Sequence, residues 1–273
     1  MSEDHGGAHS PGAEAMMAFA LDMDGTVYKG EEAIPGAAEF VSFLRERGIP
    51  FVFLTNNSSH GRGFYLRRLE RMGFDVSLEN ILTSTTATVR YLRSVHPGRS
   101  VYPVGVDDFV CEISEAGIEI DDEDPDIVLL AFDTSITYGK INKAYRFLKS
   151  GAGFVATHPD DLCPTEQGYD IDIGPFIRMF ESMTGAVAEV VGKPSRRMLE
   201  MAAEEMGVRL SEVVMVGDRL YTDMRMAANA GTRSVLVLSG EATGEELKAS
   251  GLAPTAVVGS VAEIPALIEK SAL

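Results

Sequence analysis

The 273-residue sequence has few cysteines, no long apolar run and no segment that resembles a targeting signal. Its two cysteines, Cys111 and Cys163, stand far apart without metal-ligand spacing, and no histidine-based constellation accompanies either of them. Such thiols are typically reduced in a cytoplasmic protein, and a catalytic thiol is disfavoured. No apolar stretch reaches the length of a membrane span, and residues 1–15 lack the basic start and apolar middle of a signal peptide. We therefore expect a cytoplasmic protein with a disordered tail at residues 1–15.

Basic residues are also scarce, because 24 Lys and Arg stand against 41 Asp and Glu and give a formal charge of −17. A nucleic-acid binder needs a basic face, and an anionic membrane attracts basic segments, so neither is expected as a partner. A phosphorylated substrate is still compatible with this charge if its attraction is local, from a metal ion, a lysine or backbone N–H groups.

Apolar runs that predict strands alternate with amphipathic segments that predict helices. The predicted strands include residues 17–21, 49–54, 188–191, 213–216 and 234–238, and the predicted helices include 36–47, 138–149 and 196–206. Residues 161–170 are expected to be irregular. The alternation indicates an α/β fold with a Rossmann-like, three-layer core, in which helices cover both faces of a parallel sheet. Ligands of such sheets bind beyond the carboxyl ends of the strands.

Two carboxylates, Asp22 and Asp24, directly follow the first predicted strand and lead into Gly25-Thr26. Alternate residues of a strand point to the same side, and like charges held that close raise each other's pKa unless a cation lies between them. Oxygen ligands of this kind favour Mg²⁺. An acidic turn that ends a surface strand is the alternative interpretation.

Further polar residues follow the other predicted strands. They are Thr55, Asn56 and Asn57, then Lys193, then Asp218 and Asp223. Each has an ordinary alternative as a turn, a helix cap or a solvated loop residue. Their convergence on one sheet edge instead favours a site that combines a metal, a hydroxyl, amides and a cation.

The four motifs, taken in order, resemble those of the haloacid dehalogenase-like superfamily. They are Asp-x-Asp-Gly-Thr at 22–26, Thr-Asn-Asn at 55–57, Gly-Lys-Pro at 192–194 and Gly-Asp-Arg-x-x-Thr-Asp at 217–223. The long gap between Thr55 and Lys193 resembles a C2-type insertion, and the stretches around His158 and Lys193 are similar to the NagD-like and p-nitrophenylphosphatase-like branch. The resemblance implies a core domain at residues 16–82 and 185–273 with an inserted α/β cap domain at 83–184.

The resemblance also implies roles for individual residues. Asp22 is the expected nucleophile, and Asp24 the general acid and later the general base. Mg²⁺ is expected on the Asp22 side chain, the Asp24 backbone carbonyl and Asp218, with Asp223 orienting this set. Phosphate oxygens are expected on Thr55, Asn56 and Lys193, and residues 27–31 are expected to form a mobile flap. The candidate substrate contacts are Asn57, His158 and Asp172, and a helix start and a hinge are the ordinary alternatives for the last two.

The expected activity is Mg²⁺-dependent hydrolysis of a small phosphorylated metabolite through an aspartyl-phosphate. A dehalogenase typically lacks an acid at the position of Asp24, and a phosphonate hydrolase needs a cap lysine earlier in the chain. Two alternatives stay open: a phosphotransferase that uses the same nucleophile, and a catalytically silent binding protein. A homodimer is also left open.

Overall fold

A computed structural model describes residues 17–165 and 168–273; the predicted tail therefore lies outside the described residues. The strands are β1 Ala18–Asp22, β2 Tyr28–Lys29, β3 Glu32–Ala33, β4 Phe51–Thr55, β5 Ile81–Thr83, β6 Val101–Val104, β7 Ile127–Leu130, β8 Gly153–Ala156, β9 Leu162–Thr165, β10 Gly168–Ile171, β11 Glu189–Val190, β12 Val213–Gly217, β13 Arg233–Val237 and β14 Ala256–Val258. The α-helices are α1 Ala37–Glu46, α2 Arg62–Arg71, α3 Ser84–Val95, α4 Asp107–Glu115, α5 Tyr138–Lys149, α6 Gly174–Thr184, α7 Arg196–Met206, α8 Arg225–Ala230, α9 Gly244–Ser250 and α10 Ile264–Glu269.

The first sheet is parallel, with strand order β14-β13-β12-β1-β4-β5. Every residue of the central strands β1 and β12 is buried, as expected of strands that helices cover on both faces. The alternation of side chains along β1 places Phe19 and Leu21 in a cluster with α1, and Ala20 in a cluster with α7. The predicted three-layer α/β core is confirmed.

The second sheet is also parallel and has the order β11-β8-β7-β6. Helices α5 and α6 pack on it through buried residues that include Leu148, Ile177 and Phe180. This sheet extends from Val101 to Val190, in the stretch of chain between β5 and β12. The domain boundaries given above stay a prediction.

The segment predicted to be irregular forms an antiparallel hairpin instead, because β9 pairs with β10. Leu162, Tyr169 and Ile171 are exposed there, so the hairpin lacks the alternation of buried and exposed residues that identifies a strand in a sequence. A second hairpin, β2–β3, lies where the flap is predicted. Within the described residues, no helix has both the length and the apolar character needed to cross a membrane.

Candidate active site

The strand order brings the predicted site residues together at one edge of the first sheet. Strand β1 lies between β12 and β4, and Asp22, its last residue, pairs in register with Leu54, one residue before Thr55. On the other side Leu21 pairs with Val216, so that Gly217-Asp218 follows at the level of Asp22. Parallel strands thus place their carboxyl-terminal residues side by side.

Lys193 carries the ammonium group at the centre of this edge. Its side chain is buried and donates to Asp22 and to Asp223, the latter at 2.8 Å between Nζ and Oδ1. Burial disfavours the charged ammonium, but the two carboxylates outweigh that effect and raise the pKa of Lys193. Lys193 is therefore a fixed positive charge in contact with the Asp22 carboxylate.

A cluster of carboxylates surrounds this single ammonium. Asp22, Asp218 and Asp223 are buried, and each offers an oxygen within 4.8 Å of the others. Burial and the neighbouring Asp22 raise the pKa of Asp218 to about 8 and that of Asp223 to about 6. The Thr26 hydroxyl lies between Asp22 and Asp218, with Oγ1 at 3.3 Å and 3.5 Å from their oxygens. An all-oxygen donor set with excess negative charge fits a hard dication such as Mg²⁺.

Glycines make room for Asp218. A Cβ atom on Gly25 would lie 2.3 Å from Asp218 Oδ2, and one on Gly240 only 1.9 Å away. Gly25 also has a φ of +84°, which residues with a side chain rarely adopt. The backbone N–H of Glu241 donates to Asp218 Oδ2 at 2.7 Å. The loop after β13 therefore contacts Asp218 directly through Gly240 and Glu241.

Asp24 lies on the wall of the cleft and is exposed, in contrast to Asp22. Partial desolvation there, followed by the nearby Asp22 charge, raises the pKa of Asp24. A raised pKa makes this carboxyl group a better proton acceptor than an ordinary aspartate and keeps it protonated to higher pH. The predicted use of its backbone carbonyl by a metal stays a prediction.

The loop after β4 is tied to Lys193. The Asn56 side chain donates to the Lys193 carbonyl at 2.9 Å and accepts from the Lys193 N–H at 2.8 Å. It also donates to both oxygens of Asp160, at 3.2 and 3.0 Å. Because these partners occupy the side-chain amide, a phosphate oxygen would meet Asn56 through its backbone N–H.

The two neighbours of Asn56 also lie at the cleft. Thr55 Oγ1 accepts from the Asn57 N–H at 3.2 Å. Asn57 accepts from Ser59, with its Oδ1 at 2.9 Å from the backbone nitrogen and 2.7 Å from the hydroxyl. The Asn57 side chain therefore shapes the loop beside the cleft.

The cleft that these residues line has a volume of about 740 Å³. The β2–β3 hairpin, Asp160, Asp172 and the β9–β10 hairpin contribute to its walls. Asp172 thus reaches the cleft, whereas His158 is fully buried and does not line it. Burial raises the pKa of the Cys163 thiol in the cleft to about 12, which agrees with the prediction that it is not a nucleophile.

Sequence reasoning missed two arginines at the cleft. Arg68 of α2 donates to the Gly30 carbonyl at 2.6 Å, and its guanidinium lies 4.6 Å from the centre of the Tyr28 ring. Arg219 pairs with Glu241 at 3.1 Å. Arg219 lies inside the Gly-Asp-Arg motif and could have been nominated from it, whereas nothing local distinguishes Arg68 from the other arginines of its helix.

Family models match two parts of the chain that together exceed half its length. Residues 19–119 match a model described as haloacid dehalogenase-like hydrolase, and residues 190–264 match a second, HAD-hydrolase-like model. The chain is 34% identical over 254 residues to an acid sugar phosphatase of Staphylococcus aureus, with 93% of this chain and 98% of that protein covered.

Solved structures give the same relationship. The 4-nitrophenylphosphatase of Thermotoga maritima superimposes with a TM-score of 0.87 at 37% identity, covering 92% of this chain and 96% of that one. NagD of E. coli K-12 superimposes with a TM-score of 0.84 at 33% identity, covering 91% and 98%.

Proposed function

Because the chain belongs to the haloacid dehalogenase-like hydrolases, in their NagD-like branch, we propose that it is a Mg²⁺-dependent phosphoric monoester hydrolase that works through an aspartyl-phosphate. The observation that carries the proposal is the contact between the Asp22 carboxylate and the buried Lys193 ammonium, at the floor of the cleft and beside Asp218. The relatives named as phosphatases support a small phosphorylated substrate, and those named acid sugar phosphatase support a sugar phosphate.

In this proposal Asp22 attacks phosphorus in line with the leaving oxygen and forms an acyl phosphate. Asp24 gives a proton to the departing alkoxide, and its carboxylate then takes a proton from the water that cleaves the acyl phosphate. Lys193 fixes the orientation of Asp22 and supplies positive charge beside the transferring group. The Thr55 hydroxyl and the Asn56 backbone N–H supply phosphate contacts on the other side.

Asp22, Asp218 and the Asp24 carbonyl would hold Mg²⁺, and Asp223 would orient this set. When bound, Mg²⁺ neutralises the carboxylates and lessens the repulsion between Asp22 and an anionic phosphate ester. The excess of buried carboxylates over the single Lys193 ammonium supports this assignment.

The test is release of inorganic phosphate from p-nitrophenyl phosphate and from a panel of sugar phosphates, each with Mg²⁺ and with a chelator. Asp22→Asn is expected to lower kcat by about 10³- to 10⁶-fold, because the nucleophile is lost. Asp122→Asn, which changes an exposed carboxylate that pairs with Lys143, serves as the matched control with unchanged turnover. Wild-type turnover by Asp22→Asn would refute the assigned nucleophile.

The same assay separates the two alternatives. A phosphotransferase would release nitrophenol with little inorganic phosphate when an acceptor alcohol is present, and a silent binding protein would release neither.

A cytoplasmic location and a homodimer stay predictions. Size-exclusion chromatography with light scattering tests whether the protein is a homodimer.

A further inference from the structure

His158 is an imidazole without a partner in the interior of the protein. It follows β8, has no exposed surface, and lies outside the machinery proposed above. Neither of its ring nitrogens has a hydrogen-bond partner among the described residues. A buried polar group left unpaired in this way costs about 1–3 kcal/mol, so its retention calls for a ligand or a charge.

Two buried carboxylates face this ring. Asp160 Oδ2 lies 3.7 Å from Nδ1, and Asp172 Oδ1 lies 3.7 Å from Nε2. These separations exceed the roughly 2.7–3.2 Å of a hydrogen bond. An ion can bind only one of the two ring nitrogens, and a nitrogen and the carboxylate oxygen that faces it at 3.7 Å suit such a shared ion, since metal bonds of about 2.0–2.2 Å place neighbouring ligand atoms roughly 3–4 Å apart. One ligand atom from each residue lies within 4.8 Å of the others.

We propose that His158, Asp160 and Asp172 form a second metal site that binds a first-row transition dication. It is separate from the cluster of Asp22, Asp218 and Asp223, which is called the Asp22 cluster below. Two carboxylates balance the charge of the ion, and one imidazole nitrogen gives the site a ligand that Mg²⁺ seldom uses. Mixed nitrogen and oxygen donors favour Zn²⁺, Co²⁺ or Mn²⁺ over Mg²⁺. Asp160 and Asp172 line the cleft, so the site would border the space proposed for the substrate.

Groups outside the cluster orient its carboxylates. Asn56 Nδ2 donates to Asp160, and the Ile173 N–H donates to Asp172 Oδ1 at 2.7 Å. A backbone hydrogen bond also connects the two ends of this segment, since the Gly174 N–H donates to the Asp160 carbonyl at 2.8 Å. A Cβ on Gly174 would lie 2.6 Å from the Pro159 carbonyl oxygen, so the start of α6 packs directly on the loop that carries Asp160. Such outer contacts are typical of metal sites.

The test uses Co²⁺, whose visible absorption reports coordination, with metal-stripped protein held in saturating Mg²⁺ so that the Asp22 cluster is occupied. The wild type is expected to bind one more equivalent of Co²⁺ than His158→Asn. The Co²⁺ affinity of that site should fall at least about 100-fold in the variant, since removing a residue that only supports a metal ligand already lowers metal affinity 10- to 100-fold. Binding to surface groups and to His5 and His9 is common to both proteins. Asp218→Asn is expected to keep the additional equivalent.

Circular dichroism and a thermal melt establish that His158→Asn is folded. If it is not, Asp172→Asn takes its place in the same titration. Equal Co²⁺ binding by wild type and variant would overturn the proposal. A doubly protonated His158 ring in the presence of Co²⁺ would also overturn it, because the residue would then be a buried cation that pairs with both acids. No readout depends on phosphatase turnover.

Discussion

Lys193 places one ammonium group between Asp22 and Asp223, and among the described residues no lysine pairs with Asp218. Burial and the Asp22 charge raise the pKa of both Asp218 and Asp223, whereas Lys193 acts in the opposite direction on Asp223. A metal ion would supply the opposing charge for Asp218.

The raised pKa of Asp218 predicts how Mg²⁺ affinity depends on pH. Metal-free Asp218 holds its proton up to about pH 8, and Mg²⁺ binding must release it, so the apparent affinity should rise about tenfold per pH unit from about pH 6 to 8. The pKa of Asp218 in the folded protein also lies above its ordinary value of 3.8. The protonated Asp218 carboxyl therefore contributes fully to the free energy of unfolding at low pH, and this contribution is lost as pH rises through about 8.

Isothermal titration calorimetry at about pH 6, 7 and 8, in two buffers of different ionisation enthalpy, measures both the affinity and the proton released. The Asp218→Asn variant is the control and should show weak binding with little pH dependence. Affinity of the wild type that is constant over this range would contradict the prediction.

Asp24 has a separate test, because its two roles act in successive steps. In Asp24→Asn, turnover of a sugar phosphate should fall by about 10²- to 10⁴-fold, since the alkoxide leaves without a proton. Nitrophenolate needs no proton, so p-nitrophenyl phosphate should still phosphorylate Asp22, and the intermediate should accumulate because its hydrolysis lacks a base. Rapid-quench kinetics should show a burst of about one equivalent of nitrophenol per enzyme. Equal losses on both substrates without a burst would contradict this assignment.

Among the structural elements, Asp218 lies where three loops meet, each of which follows a strand of the first sheet. The loop after β1 contributes Gly25, the loop after β12 carries Asp218 itself, and the loop after β13 contributes Gly240 and the Glu241 N–H. Ser239 of the third loop also donates to the Gly25 carbonyl at 2.8 Å. The loop after β13 lies beyond the motifs that define the site in the sequence, yet it sets the position of a predicted metal ligand.

Gly240→Ala tests this role. The added Cβ would lie 1.9 Å from Asp218 Oδ2 and 2.4 Å from its Cγ, so Asp218 must move. Mg²⁺ affinity should fall about tenfold or more, with a smaller effect on the melting temperature, because a displaced metal ligand weakens binding directly. Gly244→Ala is the matched control, since a Cβ there meets nothing within 4 Å. Equal Mg²⁺ affinity of the two variants would exclude this role for the loop.

At the scale of the whole molecule, the formal charge of −17 repels an anionic substrate until it reaches the local cations. Salt screens this long-range repulsion more than it screens the contact with Lys193. Raising inert salt from about 10 to 150 mM should therefore increase kcat/KM for a phosphate dianion by roughly threefold and leave kcat nearly unchanged. Initial rates at fixed free Mg²⁺ measure both; a decrease in kcat/KM would show that the local cations dominate.

Much of the fold could be predicted because its periodicity is local. The expected helices at 138–149 and 196–206 coincide with α5 and α7, whose apolar residues recur at helical spacing. Some of the shorter elements could not be predicted. Strand β5 has only three residues, and the β9–β10 hairpin exposes its apolar side chains, so neither gives a periodic pattern.

The chemistry at the strand ends can be read from the sequence, because the polar residue that follows an apolar strand is fixed by its covalent neighbours and by the direction of the parallel chain. Which of these groups come into contact depends on the folded structure. Lys193 contacts Asp22 across 171 residues, Asn56 contacts Asp160 across 104, and His158 is enclosed between two acids. Such contacts depend on how the two sheets pack, and residue spacing along the chain carries no information about that distance.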